Sequence, residues 1–175
     1  WDRAMMALRL VSYDPGGLGG ILLQSRNGPV RDAFVKQIPQ ATRLHPALAH
    51  DALTGGIAAT ASLAAGTIVR HAGLLASGGT MILPMAERTP ALMASSLARA
   101  LDQDGDLCIV ALDEHLEEEE PPPLTLTDRL AFHVSLDGMG IRDIGDSEMK
   151  QGAAAMPPQP VMATAEHMSD LTALA

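Results

Sequence analysis

Residues 21–36 read Ile21-Leu22-Leu23, then Gln24-Ser25-Arg26-Asn27-Gly28-Pro29-Val30-Arg31, then Asp32-Ala33-Phe34-Val35-Lys36. A short apolar strand, an eight-residue connection and the start of a helix follow one another, which is the layout of a phosphate-binding P-loop. A working loop carries Gly at its first, fourth and sixth positions, then Lys, then Ser or Thr. Here those slots hold Gln24, Asn27, Pro29, Val30 and Arg31. Pro29 has no backbone N–H to offer a phosphate, and Val30 cannot neutralise one. The scaffold is kept and its phosphate chemistry is gone.

On the amino-terminal side, Met5, Leu8 and Val11 with Ala4 and Ala7 give residues 2–12 the spacing of an amphipathic helix. Tyr13-Asp14-Pro15-Gly16-Gly17-Leu18-Gly19-Gly20 is a turn-rich loop that ends it. On the other side the helix after the loop runs to about Gln37, and Pro39 stops it. Residues 52–65 have a helical pattern weakened by Gly55-Gly56, and Gly73-Leu74-Leu75-Ala76 reads as a helical turn. Thr80–Leu83 reads as a second buried strand. Thr89-Pro90 then starts a helix over 91–101, with Thr89 as N-cap and Pro90 at its first position.

Leu107–Leu112 is a continuous apolar run, typical of a strand buried on both faces. Leu124–Leu130 suits a short helix, and Ala131–Leu136 alternates as a further strand does. Gly, Pro, Met and Ala dominate 138–163, and 164–175 could begin a helix. Strands alternating with helices predict an α/β fold with a parallel sheet between helices, in which 21–23, 81–83 and 107–111 are neighbours. The division expected is an α/β core over 1–137 and a linker over 138–175. Ligand crevices in such sheets open at the carboxyl ends of the strands. The 24–31 loop, Glu87 and the 113–123 loop should gather there.

Composition removes several function classes. A net charge of −9 and a pI near 4.9 oppose binding to nucleic acid or anionic lipid, which reward clustered Lys and Arg. Only Trp1, Tyr13, Phe34 and Phe132 are aromatic, too few for a base-stacking platform. The single cysteine, Cys108, lies in an apolar run and reads as an inert buried thiol. No apolar run approaches the ~20 residues of a membrane span. No leader is visible in a chain that begins at Trp1, so a fragment of a cytoplasmic protein is expected, or of a stromal one if it comes from a plant.

The other candidate motifs divide between chemistry and solvated surface. The histidines show no zinc-ligand spacing, and no metal site is expected. Glu117–Glu120, followed by Pro121-Pro122-Pro123, reads as a solvated extended loop. Gly16, Gly17, Gly19 and Gly20 precede their strand, whereas a dinucleotide fingerprint follows it. Leu112-Asp113-Glu114 has the bare pattern of a strand ending in a magnesium aspartate and a water-polarising glutamate. Arg129 reads on its own as a surface arginine paired with Asp128 or nearby glutamates.

The run Met5-Met6-Ala7-Leu8-Arg9-Leu10, then Asp14-Pro15, then Gly19-Gly20-Ile21-Leu22-Leu23, resembles the start of the AAA+ ATPase module of magnesium chelatase. Gly73-Leu74-Leu75-Ala76, the strand ending in Glu87, and Thr127-Asp128-Arg129-Leu130 follow in the same order. With Asp14–Gly20, Gly28-Pro29-Val30-Arg31-Asp32 and Asp128-Arg129-Leu130-Ala131-Phe132, the likeness is nearest to the D-subunit branch, which carries the module in degenerate form. It spans residues 2–137, and implies that 138–175 holds a linker and at most the start of a helical lid that is otherwise largely absent, with the family's integrin-I-like domain not present.

The resemblance implies an AAA+ P-loop-type core and a platform or regulatory role in a complex that inserts Mg²⁺ into protoporphyrin IX with ATP hydrolysis, for chlorophyll or bacteriochlorophyll. An I subunit would bind ATP and Mg²⁺, and an H subunit would hold the porphyrin. In family order the metal-side strand is Met81–Ala86, with Ala86 in place of Asp, Glu87 retained and Pro84 awkward inside it. Leu112-Asp113-Glu114 then becomes the relic of a sensor loop, with the sensor itself near Leu116. The glycine-rich turn would be a remnant adenine pocket, and Arg129 an arginine finger reaching a neighbour's γ-phosphate. Two other readings stay open: a competent NTPase with an atypical loop, and an adaptor that never meets nucleotide.

Overall fold

The computed structural model describes residues 1–103, 105–114 and 121–144. In chain order the elements are α1 (Asp2–Tyr13), α2 (Pro15–Leu18), β1 (Gly20–Gln24), α3 (Pro29–Val35), β2 (Thr42–Arg43), α4 (His50–Thr54) and β3 (Gly55–Ile57). Next come α5 (Ala59–Ala65), β4 (Arg70–Ala72), β5 (Thr80–Leu83), α6 (Ala91–Leu101), β6 (Cys108–Asp113), α7 (Leu124–Thr127) and β7 (Phe132–Ser135).

A five-stranded sheet has the order β2-β5-β6-β1-β7, and every pairing in it is parallel. The central register sets Ile21 opposite Val110 and Met81 opposite Ile109. The three expected strands are therefore neighbours in one parallel sheet. Side-chain alternation fills both faces. Ile21, Leu23, Ile82, Cys108, Val110 and Leu112 pack under α1 and α3 with Ala4, Leu8, Val11 and Phe34. Leu22, Met81, Leu83, Ile109 and Ala111 face the opposite way, onto Leu53, Met93, Leu97 and Leu126. A strand buried on both sides has no polar face to display, which is why 107–112 reads as one apolar run.

Several local expectations fail for identifiable reasons. The 52–65 helix is two short ones, because Gly55 (φ 82°) leaves the helix and begins a hairpin in which β3 pairs antiparallel with β4. Thr89 does not cap α6: Pro90 occupies that place, and the Thr89 hydroxyl is buried without a hydrogen-bond partner among the described residues. α7 closes at Thr127 rather than Leu130. The metal-side strand stops at Leu83, just before Pro84, and Ala86–Arg88 forms a 3₁₀ turn. The Tyr13–Gly20 turn contains a short helix, whose Gly17 N–H donates to the Asp14 carboxylate at 2.9 Å. Past residue 137, Ile144 is buried in the layer that holds Phe34.

Candidate functional site

Four segments meet at the carboxyl ends of β1, β5, β6 and β7. The Ser25 N–H donates to the Asp113 carbonyl at 3.0 Å, which carries the β1–β6 ladder one step into the loop. Helix α3 starts at Pro29, whose fixed φ suits a first helical position, so Val30 and Arg31 are helical rather than loop residues. Val30, at the lysine slot, is buried in the core beneath α1. It is packing material where a phosphate ligand would project.

Arg31, at the Ser/Thr slot, is turned inward. Its Nη1 donates to Glu114 Oε1 at 2.7 Å, and both side chains are less than a tenth exposed. Its Nη2 donates to Asp32 Oδ1 at 3.0 Å. The Glu114 backbone N–H in turn donates to Glu87 Oε2 at 3.2 Å. Glu87 arrives because Met85 takes a left-handed conformation (φ 50°, ψ 52°), costing about 1–2 kcal/mol for a residue with a Cβ. The other Glu87 oxygen, Oε1, is buried with no hydrogen-bond partner among the described residues. Asp32, Arg31, Glu114 and Glu87 thus form one chain of contacts from the surface to the ends of β5 and β6.

On the β7 side the 24–31 loop borders an open cleft of about 560 Å³, lined from Ser25 to Val30 and from Leu136 to Ile141. Among the residues from the loop, Arg26 supplies the only formal positive charge there, and Pro29 lies at the entrance to α3. A magnesium nucleotide does not fit these residues. The Ser/Thr slot that should ligate the metal carries a buried, paired guanidinium, and the lysine slot points into the core. Glu87, Glu114 and the 24–31 loop do gather as expected. Leu116 and Glu117–Glu120, the expected sensor position and the acidic run, lie outside the described residues.

Arg129 is placed elsewhere. It follows α7 and precedes β7, and so stands at the amino ends of the strands, with β1 between it and the 24–31 loop. Five strand residues span about 16 Å. Among the described residues its hydrogen bonds go to Asp102 and Thr125, while Asp128 acts on it only through charge. Nε donates to Asp102 Oδ1 at 2.7 Å and Nη2 to Asp102 Oδ2 at 2.8 Å, while Nη1 donates to the Thr125 carbonyl at 2.7 Å. Asp102 caps the end of α6, a signal too distant in sequence to foresee.

The glycine-rich turn belongs to this second site. A Cβ on Gly19 (φ 66°) would collide with the Arg129 carbonyl oxygen, and one on Gly16 with that of Gly105. Leu18 also accepts a hydrogen bond from the Ala131 N–H at 3.1 Å. At Gly16 and Gly19 the glycines permit backbone to press on backbone, so neighbouring chain lies close where an adenine pocket was expected.

No grouping of His, Cys, Asp and Glu suited to a metal ion occurs among the described residues, and no described helix is long and apolar enough to cross a membrane.

No family model matches the chain. It is similar to the magnesium-chelatase 60 kDa subunit of Cereibacter sphaeroides, 41% identical over 143 residues, which is 79% of this chain and 25% of that protein. The subunit of the same name from Rhodobacter capsulatus is 36% identical over 182 residues, covering 97% of this chain and 32% of that protein. The chain therefore spans about a quarter to a third of the length of these curated relatives. A crystal structure of a proposed ATPase from Cytophaga hutchinsonii superposes with a TM-score of 0.54 at 18% identity, over 81% of this chain and 48% of that one. The likeness supports the expected α/β fold, a parallel sheet between helices.

Proposed function

We propose that this chain is the amino-terminal AAA+ module of a magnesium-chelatase D subunit, a platform that does not hydrolyse ATP itself and supplies Arg129 to a nucleotide held by a neighbour. The relatives named as magnesium-chelatase 60 kDa subunits support the complex. One observation supports the division of labour: Arg129 stands at the opposite end of the sheet from its own degenerate phosphate loop. An arginine so placed has no route to a nucleotide in its own subunit. It can meet only one presented from outside.

In this reading ATP and Mg²⁺ are bound mainly by the I subunit, the H subunit carries protoporphyrin IX, and the assembly works in the cytoplasm on the (bacterio)chlorophyll pathway. Guanidinium at a neighbour's γ-phosphate would neutralise charge that grows in the transition state, an effect worth about 10³–10⁵ in other NTPases. The test is Arg129→Ala in the full-length subunit, reconstituted with I and H subunits at saturating MgATP. The expected result is normal assembly with the I subunit and a sharp loss of ATP-driven chelation. Wild-type chelation rates would return Arg129 to an ordinary surface charge held by Asp102.

A further inference from the structure

We infer that the Arg31 guanidinium is a tethered cation occupying the metal position of the degenerate phosphate site, so that the module keeps its site geometry without any magnesium nucleotide. The inference rests on the degenerate-loop half of the proposed function and is independent of Arg129.

The argument begins from the carboxylates. Glu87 and Glu114 are both buried at adjacent strand ends, the Glu114 backbone N–H donating to Glu87. Negative groups gathered away from water need a compensating positive charge. In a working P-loop that charge is a divalent cation ligated by the Ser/Thr at the end of the loop. Arg31 occupies that slot, and its side chain reaches the same strand ends from α3. The 2.7 Å contact with Glu114 places one positive charge there permanently. Glu114 in turn links by its backbone N–H to Glu87, so Arg31 ties α3 to β6 and, through Glu114, to the turn after β5. An exchangeable cofactor is replaced by a side chain.

The exchange has a directional consequence. A charge that never leaves cannot report whether nucleotide is present, so this end of the module is held in one arrangement while its neighbours cycle. Removing the guanidinium should uncover a site with affinity for a divalent cation.

The test uses the full-length subunit, with Mn²⁺ as the probe followed by electron paramagnetic resonance, and thermal melting with and without MgCl₂. Wild type should melt at the same temperature in both conditions. Arg31→Ser should melt roughly 10 °C lower, as expected when one member of a buried pair is deleted. It should bind Mn²⁺ at least about tenfold more tightly than wild type, since carboxylate oxygens suit hard cations. Adding Glu114→Gln should abolish the gain. A folded Arg31→Ser that does not respond to Mn²⁺, or wild type binding Mn²⁺ equally well, would overturn the inference.

Should Arg31→Ser fail to fold, Arg31→Lys decides. A point charge suffices for compensation, so the lysine variant should fold and ignore Mn²⁺; an unfolded lysine variant would overturn the inference. Chelation by Arg129→Ala is read at the other end of the sheet, so failure of one idea leaves the other standing.

Discussion

Arg129 and Asp102 meet as a planar fork, with Nε to Oδ1 at 2.7 Å and Nη2 to Oδ2 at 2.8 Å, joining the turn before β7 to the end of α6. Paired N–H···O contacts of this kind fix orientation as well as charge. The guanidinium is therefore aimed by Asp102 before any partner arrives.

The fork makes Asp102 a reporter of the state of Arg129. Hydrogen bonding to Arg129 lowers the Asp102 pKa, with the guanidinium charge adding to the effect against some desolvation. A depressed carboxyl pKa contributes stability that is present above its unfolded value, ~3.9, and lost as pH falls through the folded value. Carboxyl-carbon NMR should find Asp102 titrating below the ordinary aspartate range, and Arg129→Ala should return it there. An Asp102 already at the ordinary value in wild type would mean that the fork is not formed in solution.

Arg129→Lys should rescue chelation poorly. An ammonium cannot span both Asp102 oxygens and reach the Thr125 carbonyl at once, and it presents no planar pair of donors to a phosphate. Full activity from the lysine variant in the reconstituted complex would argue that only net charge matters.

The isolated chain should release no phosphate from ATP. The lysine slot is core, the Ser/Thr slot is a buried ion pair and the metal-side aspartate is Ala86. Each such contact is typically worth several kcal/mol of transition-state stabilisation. Steady turnover of ~1 per minute or faster, abolished by Glu87→Gln, would refute this reading.

Gly20→Ala should be among the most damaging single substitutions. Gly20 has φ 146°, and an added Cβ would run into the Ile109 carbonyl at the first rung of the β1–β6 pairing. A loss of about 2–4 kcal/mol is expected from denaturant unfolding. Gly19→Ala should instead displace the Arg129 turn, and reduce chelation more than stability.

Cys108 should resist alkylation in the native protein. Burial raises its thiol pKa from 9.0 to about 11, only partly offset by a hydrogen bond with Thr80. Holding the thiol neutral contributes stability below the unfolded pKa that is lost as pH rises towards the folded one. Iodoacetamide at pH 8 should label it only after unfolding.

The sheet was legible because its strands announce themselves through two-sided burial. Met81–Leu83 and Leu107–Ala111 admit few other placements, and their neighbours in the sheet followed from the alternation with helices. Element ends were less legible where tertiary contacts overrode local preference. Thr89 satisfies every local rule for a cap, yet its hydroxyl is buried and Pro90 takes the position. The degenerate loop could be read slot by slot, but the destination of Arg31 could not, because Glu114 lies far along the chain. Asp102 was missed for the same reason: nothing near Arg129 in sequence points to the end of α6.

Among the described residues, the strand that carries the phosphate loop pairs only with β6 and β7, the last two of the described strands. On a ribosome, β1 emerges early and waits, apolar and unpaired, while everything from α3 to α6 is made. Pairings between distant segments slow folding and leave sticky intermediates exposed. Synthesis order thus makes Ile21–Leu23 a natural ward of chaperones. A nascent chain halted before Cys108 should still hold these residues accessible to proteolysis, whereas one extended past Ile144 and clear of the exit tunnel should protect them.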